Sequence, residues 1–121
     1  MSASIKVEFP NIEEIQAKFA GAPEAMERAV HRAVSKVAFH LEGQSKILSP
    51  VDTGRLRASI YTLIDSTQAF VSTNVNYAMY VHEGTSRMTG QPFMREALRN
   101  SENTIKDIVE REFDDAVDRA F

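Results

Sequence analysis

Asp52, His82 and Glu83 are the side chains of this 121-residue chain best suited by type to move protons, with Ser49 or Ser59 as a nucleophile for them to serve. If the two carboxylates met in space, one could act as acid and the other as base, the machinery of a small hydrolase or nuclease. The surrounding sequence gives that chemistry little support. No GxSxG elbow encloses either serine, and among 17 acidic residues in so short a chain two carboxylates can meet without purpose. Gly54, Gly84 and Gly90 are too far apart to cradle a phosphate. His31 and His40, nine residues apart, fall on opposite sides of a helix, and His82 has no partner at ligand spacing, so the histidines read as surface or rim groups and no metal is expected. The absence of cysteine excludes disulfide frameworks, thiolate zinc sites and cysteine nucleophiles. The expectation is therefore no catalytic residue and no cofactor.

What remains is a segment dense in arginine, tyrosine and glycine: SPVDTGRLRASI from Ser49, then NYAMYVHEGTSRMTGQPFMREAL to Leu98. Arg55, Arg57, Arg87, Arg95 and Arg99 are the only cations between positions 50 and 99. Arginine's planar five-donor fork suits it, more than lysine, to partly buried pairs between subunits. Chance clustering in a short window is the plainer alternative. Tyr77 and Tyr80 read equally as core-lining rings with wet hydroxyls or as interface anchors. Met88, alone in a polar stretch, fits a contact formed on assembly. A protein-binding surface is expected from Arg55, Arg57, Tyr77, Tyr80, Thr85, Arg87, Met88, Phe93 and Arg95. A bacterial regulatory module that binds another protein one to one is a competing reading of the same surface.

Composition sets the scale. With 43% hydrophobic and 26% charged residues the chain suits one globular domain, burying roughly 65% of its unfolded surface. No apolar run approaches the roughly 18 residues that cross a bilayer, and MSASIKVEFP lacks the marks of a secretory signal, so a soluble protein of the cytoplasm is expected. Charge is uneven: six basic and six acidic residues over 1–49, five and four over 50–99, three and seven over 100–121. A duplex-DNA reader needs a basic face to neutralise phosphates, and none is visible. The acidic last segment reads as a solvated helix face, supported by pairs such as Asp115 with Arg119. A sharper reading lets it line a channel for DNA, where like charge prevents sticking.

The elements that must position these residues follow from periodicity. Ile5, Val7 and Phe9 alternate with Lys6 and Glu8, which predicts a short edge strand ended by Pro10. Asn11 and Glu14 have capping-box spacing, opening a short helix that Gly21 terminates. From Pro23 to Leu48, Met26, Val30, Ala33, Val34, Val37 and Leu41 recur at helical spacing, predicting a rod about 39 Å long. That is more than a domain of this size needs, so a neighbouring subunit is expected to cover part of it. Ala58–Ile64 and Ala69–Val75 read as a hairpin with the four-residue connection Asp65–Gln68. Ile60, Thr62 and Ile64 are the inward set, with either Phe70 or Val71 opposite. One or two helical turns follow before Gly84, then a loop from Thr85 to Gln91, then one helix from Pro92 onward. The fold class is α+β: a small antiparallel β-sheet, hairpin plus edge strand, packed against two long α-helices.

The strings PVDTGRLRASI, YAMYVHEGT and QPFMREAL, in that order between the long helix and the last one, resemble the signature of small neck proteins of long-tailed bacteriophages and prophages, the head-tail joining or tail-completion components. The resemblance spans about 23–121 and rests on Asp52, Thr53, Gly54, Leu56, Arg57, Tyr77, Tyr80, Gly84, Thr85, Pro92 and Phe93. His82 and Glu83 depart from it, standing where relatives carry an acidic residue and an aromatic. The resemblance implies a virion structural protein without enzymatic activity, present in the host cytoplasm during assembly. It implies a ring of identical copies between portal-side and tail-tube proteins, with DNA passing through its lumen.

Overall fold

The computed structural model describes residues 4–9, 17, 19, 21–50, 54–75, 77–86 and 88–120. Its spine is helix α1, Pro23–Leu48, with the bounds that the apolar periodicity predicts. Ala29, Val30, Ala33, Val34, Val37, Ala38 and Leu41 form one buried stripe along it. Pro23 occupies the first turn, where a missing N–H leaves nothing unsatisfied. At the other end Ser49 is extended, with ψ of 143°, the conformation that a following proline favours.

A three-stranded antiparallel sheet lies against α1 in the order β1-β3-β2, with β1 at Ser4–Val7, β2 at Ile60–Asp65 and β3 at Gln68–Thr73. Val71 stands opposite both Ile5 and Thr62, and Ala69 opposite both Val7 and Ile64. These rows face inward, and Ala69, Val71 and Thr73 are wholly buried, which resolves the register in favour of Val71. Tyr61 and Leu63 stay exposed on the other face.

The hairpin is tighter than predicted. Asp65 and Gln68 pair with each other, leaving Ser66 and Thr67 as a two-residue loop. Ser66 takes φ of 51°, the positive φ such turns demand and usually obtain from Asn or Gly. The His31 Nδ1–H donates to the Ser66 carbonyl at 2.6 Å and holds the turn. Ala58 is not yet strand: Arg55–Ser59 form a helical turn, α2, that buries Leu56. Gly54, with φ of 76°, turns the chain into it; Asp52 and Thr53 before it lie outside the described residues.

Beyond the sheet come α3 (Ala78–Glu83), strands β4 (Gly84–Thr85) and β5 (Met88–Thr89), α4 (Phe93–Asn100) and α5 (Glu102–Ala120). Two expectations are corrected here. The stretch from Thr85 to Gln91 is not a plain loop, because Gly84 pairs with Thr89 and Thr85 with Met88. The last helix is two helices, broken at Ser101, which is buried and lies 3.0 Å by its Oγ from His40 Nε2 on α1. The helix expected over Asn11–Gly21 lies largely outside the described residues. Phe19, which is described, is buried with its ring 6.1 Å from that of Phe113 on α5.

Helix α1 therefore touches the sheet, α4 and α5, and the core is the apolar volume between them. Helix α5 is not solvated all round. Glu112 is buried and ion-paired with Lys36 of α1, while Glu102, Asp107, Glu110, Asp114, Asp115 and Asp118 are exposed. Arg119 reaches the backbone carbonyl of Asp115 at 3.3 Å rather than its carboxylate.

Candidate protein interface

Tyr77 precedes α3, and positions 77, 80 and 83 are three apart, so Tyr77, Tyr80 and Glu83 share one side of this short helix. Ala78 and His82, four apart, are turned inward. Tyr80 is 60% exposed. Tyr77 is half-buried against the core, and the Arg55 guanidinium lies 5.4 Å from its ring centroid, a cation–π contact that joins the start of α2 to the start of α3.

At the far end of α3, His82 is buried and its ring meets that of Phe93 edge-on at 5.3 Å. Its Nδ1–H donates to Glu83 Oε1 at 2.7 Å, and Arg95 Nη2 donates to the same oxygen at 2.8 Å. The His82 hydrogen bond, aided by the Arg95 charge, outweighs desolvation and holds the Glu83 carboxyl below its ordinary 4.5. Glu83 is thus a charged acceptor at neutral pH, engaged with two donors and unsuited to give up a proton as a general acid.

Local backbone geometry brings Arg95 to Glu83 across twelve residues. After the β4–β5 hairpin the chain returns along α3, with the Gln91 N–H donating to the Val81 carbonyl at 2.8 Å. A Cβ at Gly90 would lie 2.6 Å from the Glu83 carbonyl carbon, so only glycine fits this approach. Pro92 then precedes α4, which places Arg95 one turn in.

The structure thus gathers Arg55, Tyr77, Tyr80, Glu83 and Arg95 into one band along α3. Other expected members lie elsewhere. Phe93 is wholly buried: the apolar first turn of α4 packs inward, and its ring supports His82 from inside instead of facing a neighbour. His82 is likewise no surface or rim residue, because that ring contact and its bond to Glu83 draw it in. Arg57 is half-buried, its Nη2 3.4 Å from the Ile47 carbonyl and its buried Nε unpartnered. Thr85 is exposed in β4, and Met88 contributes backbone to β5; Arg87, Asp52 and the Met88 side chain are outside what is described.

The serines proposed as nucleophiles are hydrogen-bonded otherwise. Ser49 Oγ donates to the Lys46 carbonyl at 2.9 Å and Ser59 Oγ to the Leu56 carbonyl at 2.6 Å. Among the described residues no three His, Asp or Glu side chains converge as metal ligands, and no helix is long and apolar enough to cross a membrane.

Sequence reasoning missed a groove of about 470 Å³ beside the band, lined by Ile5 of β1, Met79 and Glu83 of α3, and Met94, Arg95 and Leu98 of α4. Met94 is buried there, but Leu98 remains 42% exposed. The only signal for the polar rim was the adjacency of His82 and Glu83. No family model, curated protein or solved structure matches this chain.

Proposed function

We propose that this chain is a structural protein of a bacteriophage neck, joining head to tail as one of several copies in a ring. One observation carries the reading: Tyr77, Tyr80 and Glu83 of the YAMYVHEGT string come together with Arg55 and Arg95 in one band that holds aromatic and paired ionic groups, with Tyr80 exposed. Exposed tyrosine with arginine already positioned by a neighbour is the composition of a contact surface, since little side-chain freedom remains to be lost on docking. The His82–Glu83 departure supports the same use, because the carboxylate fixes Arg95 in place.

In this reading the band meets portal-side and tail-tube proteins along the axis of the ring. Each contact is weak alone and acts many times over when repeated around the ring. The β4–β5 hairpin holds Thr85 at the surface beside the band. The exposed carboxylates of α5 suit a wall past which DNA slides, as like charges repel. The test is electron microscopy of particles made with the gene deleted. Filled heads and separate tails that join on addition of the purified protein are expected. Infectious virus made normally without the gene overturns the reading, as does turnover of a small compound abolished by Glu83→Gln.

A further inference from the structure

The three-stranded sheet ends in two open edges. Strands β1 and β2 flank β3, and among the described residues neither has a strand on its outer side. Both are antiparallel to β3, so they point the same way as each other. Such an edge carries a row of backbone N–H and C=O groups that recruits another strand unless something blunts it. No proline interrupts β2, and its outward Leu63 is 57% exposed.

We propose that copies of this chain join edge to edge, β2 of one pairing in parallel with β1 of the next, so that Asp65 of one copy meets Lys6 of its neighbour. This rests on the ring reading above and names the joint between its copies. A rotation about an axis along the strands preserves their direction, so the neighbour's β1 arrives parallel to β2. One edge meets a different edge, the head-to-tail arrangement that closes into a ring. A two-fold dimer would instead set β2 against β2, antiparallel.

Charge selects the register. Lys6, Phe70 and Leu63 form one outward row across the sheet. Extending that row to the next copy without stagger sets Lys6 beside Leu63 and brings Glu8 against Asp65, two like charges. A two-residue stagger one way sets Lys6 against Tyr61 and leaves Asp65 unopposed. The same stagger the other way places Lys6 beside Asp65, Ser4 beside Leu63, and Ile5 beside Ile64 on the inner face. Closing a sheet on itself requires a stagger of this kind. Both ions can exchange partners, for among the described residues they hold only exposed contacts, Lys6 with Glu8 at 3.4 Å and Asp65 with Gln68 at 3.3 Å.

The chain has no cysteine, so engineered disulfides report the joint without background. The variant carrying both Lys6→Cys and Asp65→Cys, oxidised at high protein concentration, is expected to give a ladder of covalent multimers, and each single variant none. Rings seen by electron microscopy without that ladder overturn the joint and leave the ring standing. A monomer at all concentrations, without a ladder, overturns both. A disulfide dimer from Leu63→Cys alone reveals the two-fold pairing and also overturns the joint. As a check on folding, Lys6→Glu and Asp65→Lys should each weaken association about ten-fold, and the two together should restore it. A combined variant no better than either single one refutes the pairing.

Discussion

The body of α1 and the three-stranded sheet, and the segment 77–100 beside it, are built by different physics. In the body Val34, Leu41 and Val71 are almost or wholly buried and make apolar contacts, which salt and pH leave largely untouched. In the segment the decisive features are a close backbone approach at Gly90 and two donors on one exposed carboxylate. The band along α3 therefore sits on a part that joins the core through Ala78, Phe93 and Met94 and owes its finer shape to that backbone approach and ion pair.

The strongest test of this contrast is Leu41→Ala, which removes a side chain 1% exposed between α1 and the rest of the core. Unfolding in urea should show a loss of about 2–5 kcal/mol with an unchanged slope. A loss below about 1 kcal/mol would mean the body is not the source of stability.

Next comes Gly90→Ala. Its methyl group would collide with the Glu83 backbone, which cannot swing aside as a side chain can. A cost of roughly 1–3 kcal/mol is expected, the range of overpacking. The location of the damage matters more than its size. Hydrogen exchange should accelerate at Val81 to Gln91 and stay slow in α1; uniform acceleration would show that the two regions open as one unit.

What was legible in the sequence divides along the same line. Helix α1 could be read to its ends because it has a long apolar stripe between two prolines, and the edge strand and hairpin because period two is repeated. The turn at Ser66 escaped because neither Ser66 nor Thr67 advertises positive φ, and α2 because five residues are too few to show a period. The break at Ser101 lay inside a pattern that runs on at 3.6 residues per turn, and the contact Ser101 makes there is long-range, with His40 of α1. Residue type alone marks Tyr80 and Arg95, and both are exposed, yet the partner of Arg95 lies across a hairpin with two-residue strands. Phe93 combines an aromatic type suited to an interface with the helical apolar spacing it shares with Met94 and Ala97, and the spacing prevails: all three are buried.

Ser101→Ala tests the join between the regions, α1 to the α4–α5 break. It removes a buried hydroxyl and leaves His40 Nε2 without its partner. About 0.5–2 kcal/mol is expected, with faster exchange at Ile105, whose N–H donates to the Ser101 carbonyl. Loss of α4 and α5 together would instead show that this one contact docks both helices.

The smallest effect on stability and the sharpest on the comparison belongs to Glu83. Its folded-state carboxyl titrates below the ordinary 4.5, so its contribution is present above that pH and disappears as pH falls through the lower folded value. The carboxyl is exposed, and the global unfolding midpoint should scarcely change with Arg95→Ala. Followed by carboxyl carbon NMR, the Glu83 titration in that variant should move upward but stop short of 4.5, because the His82 hydrogen bond is the larger cause and remains. A full return would assign the shift to Arg95 alone and leave His82 a packing residue against Phe93. A partial return, with exchange at Val81 to Gln91 quickening below that titration while α1 stays protected, would show the contact band carrying its own acid-labile fastening, separate from the body that holds it up.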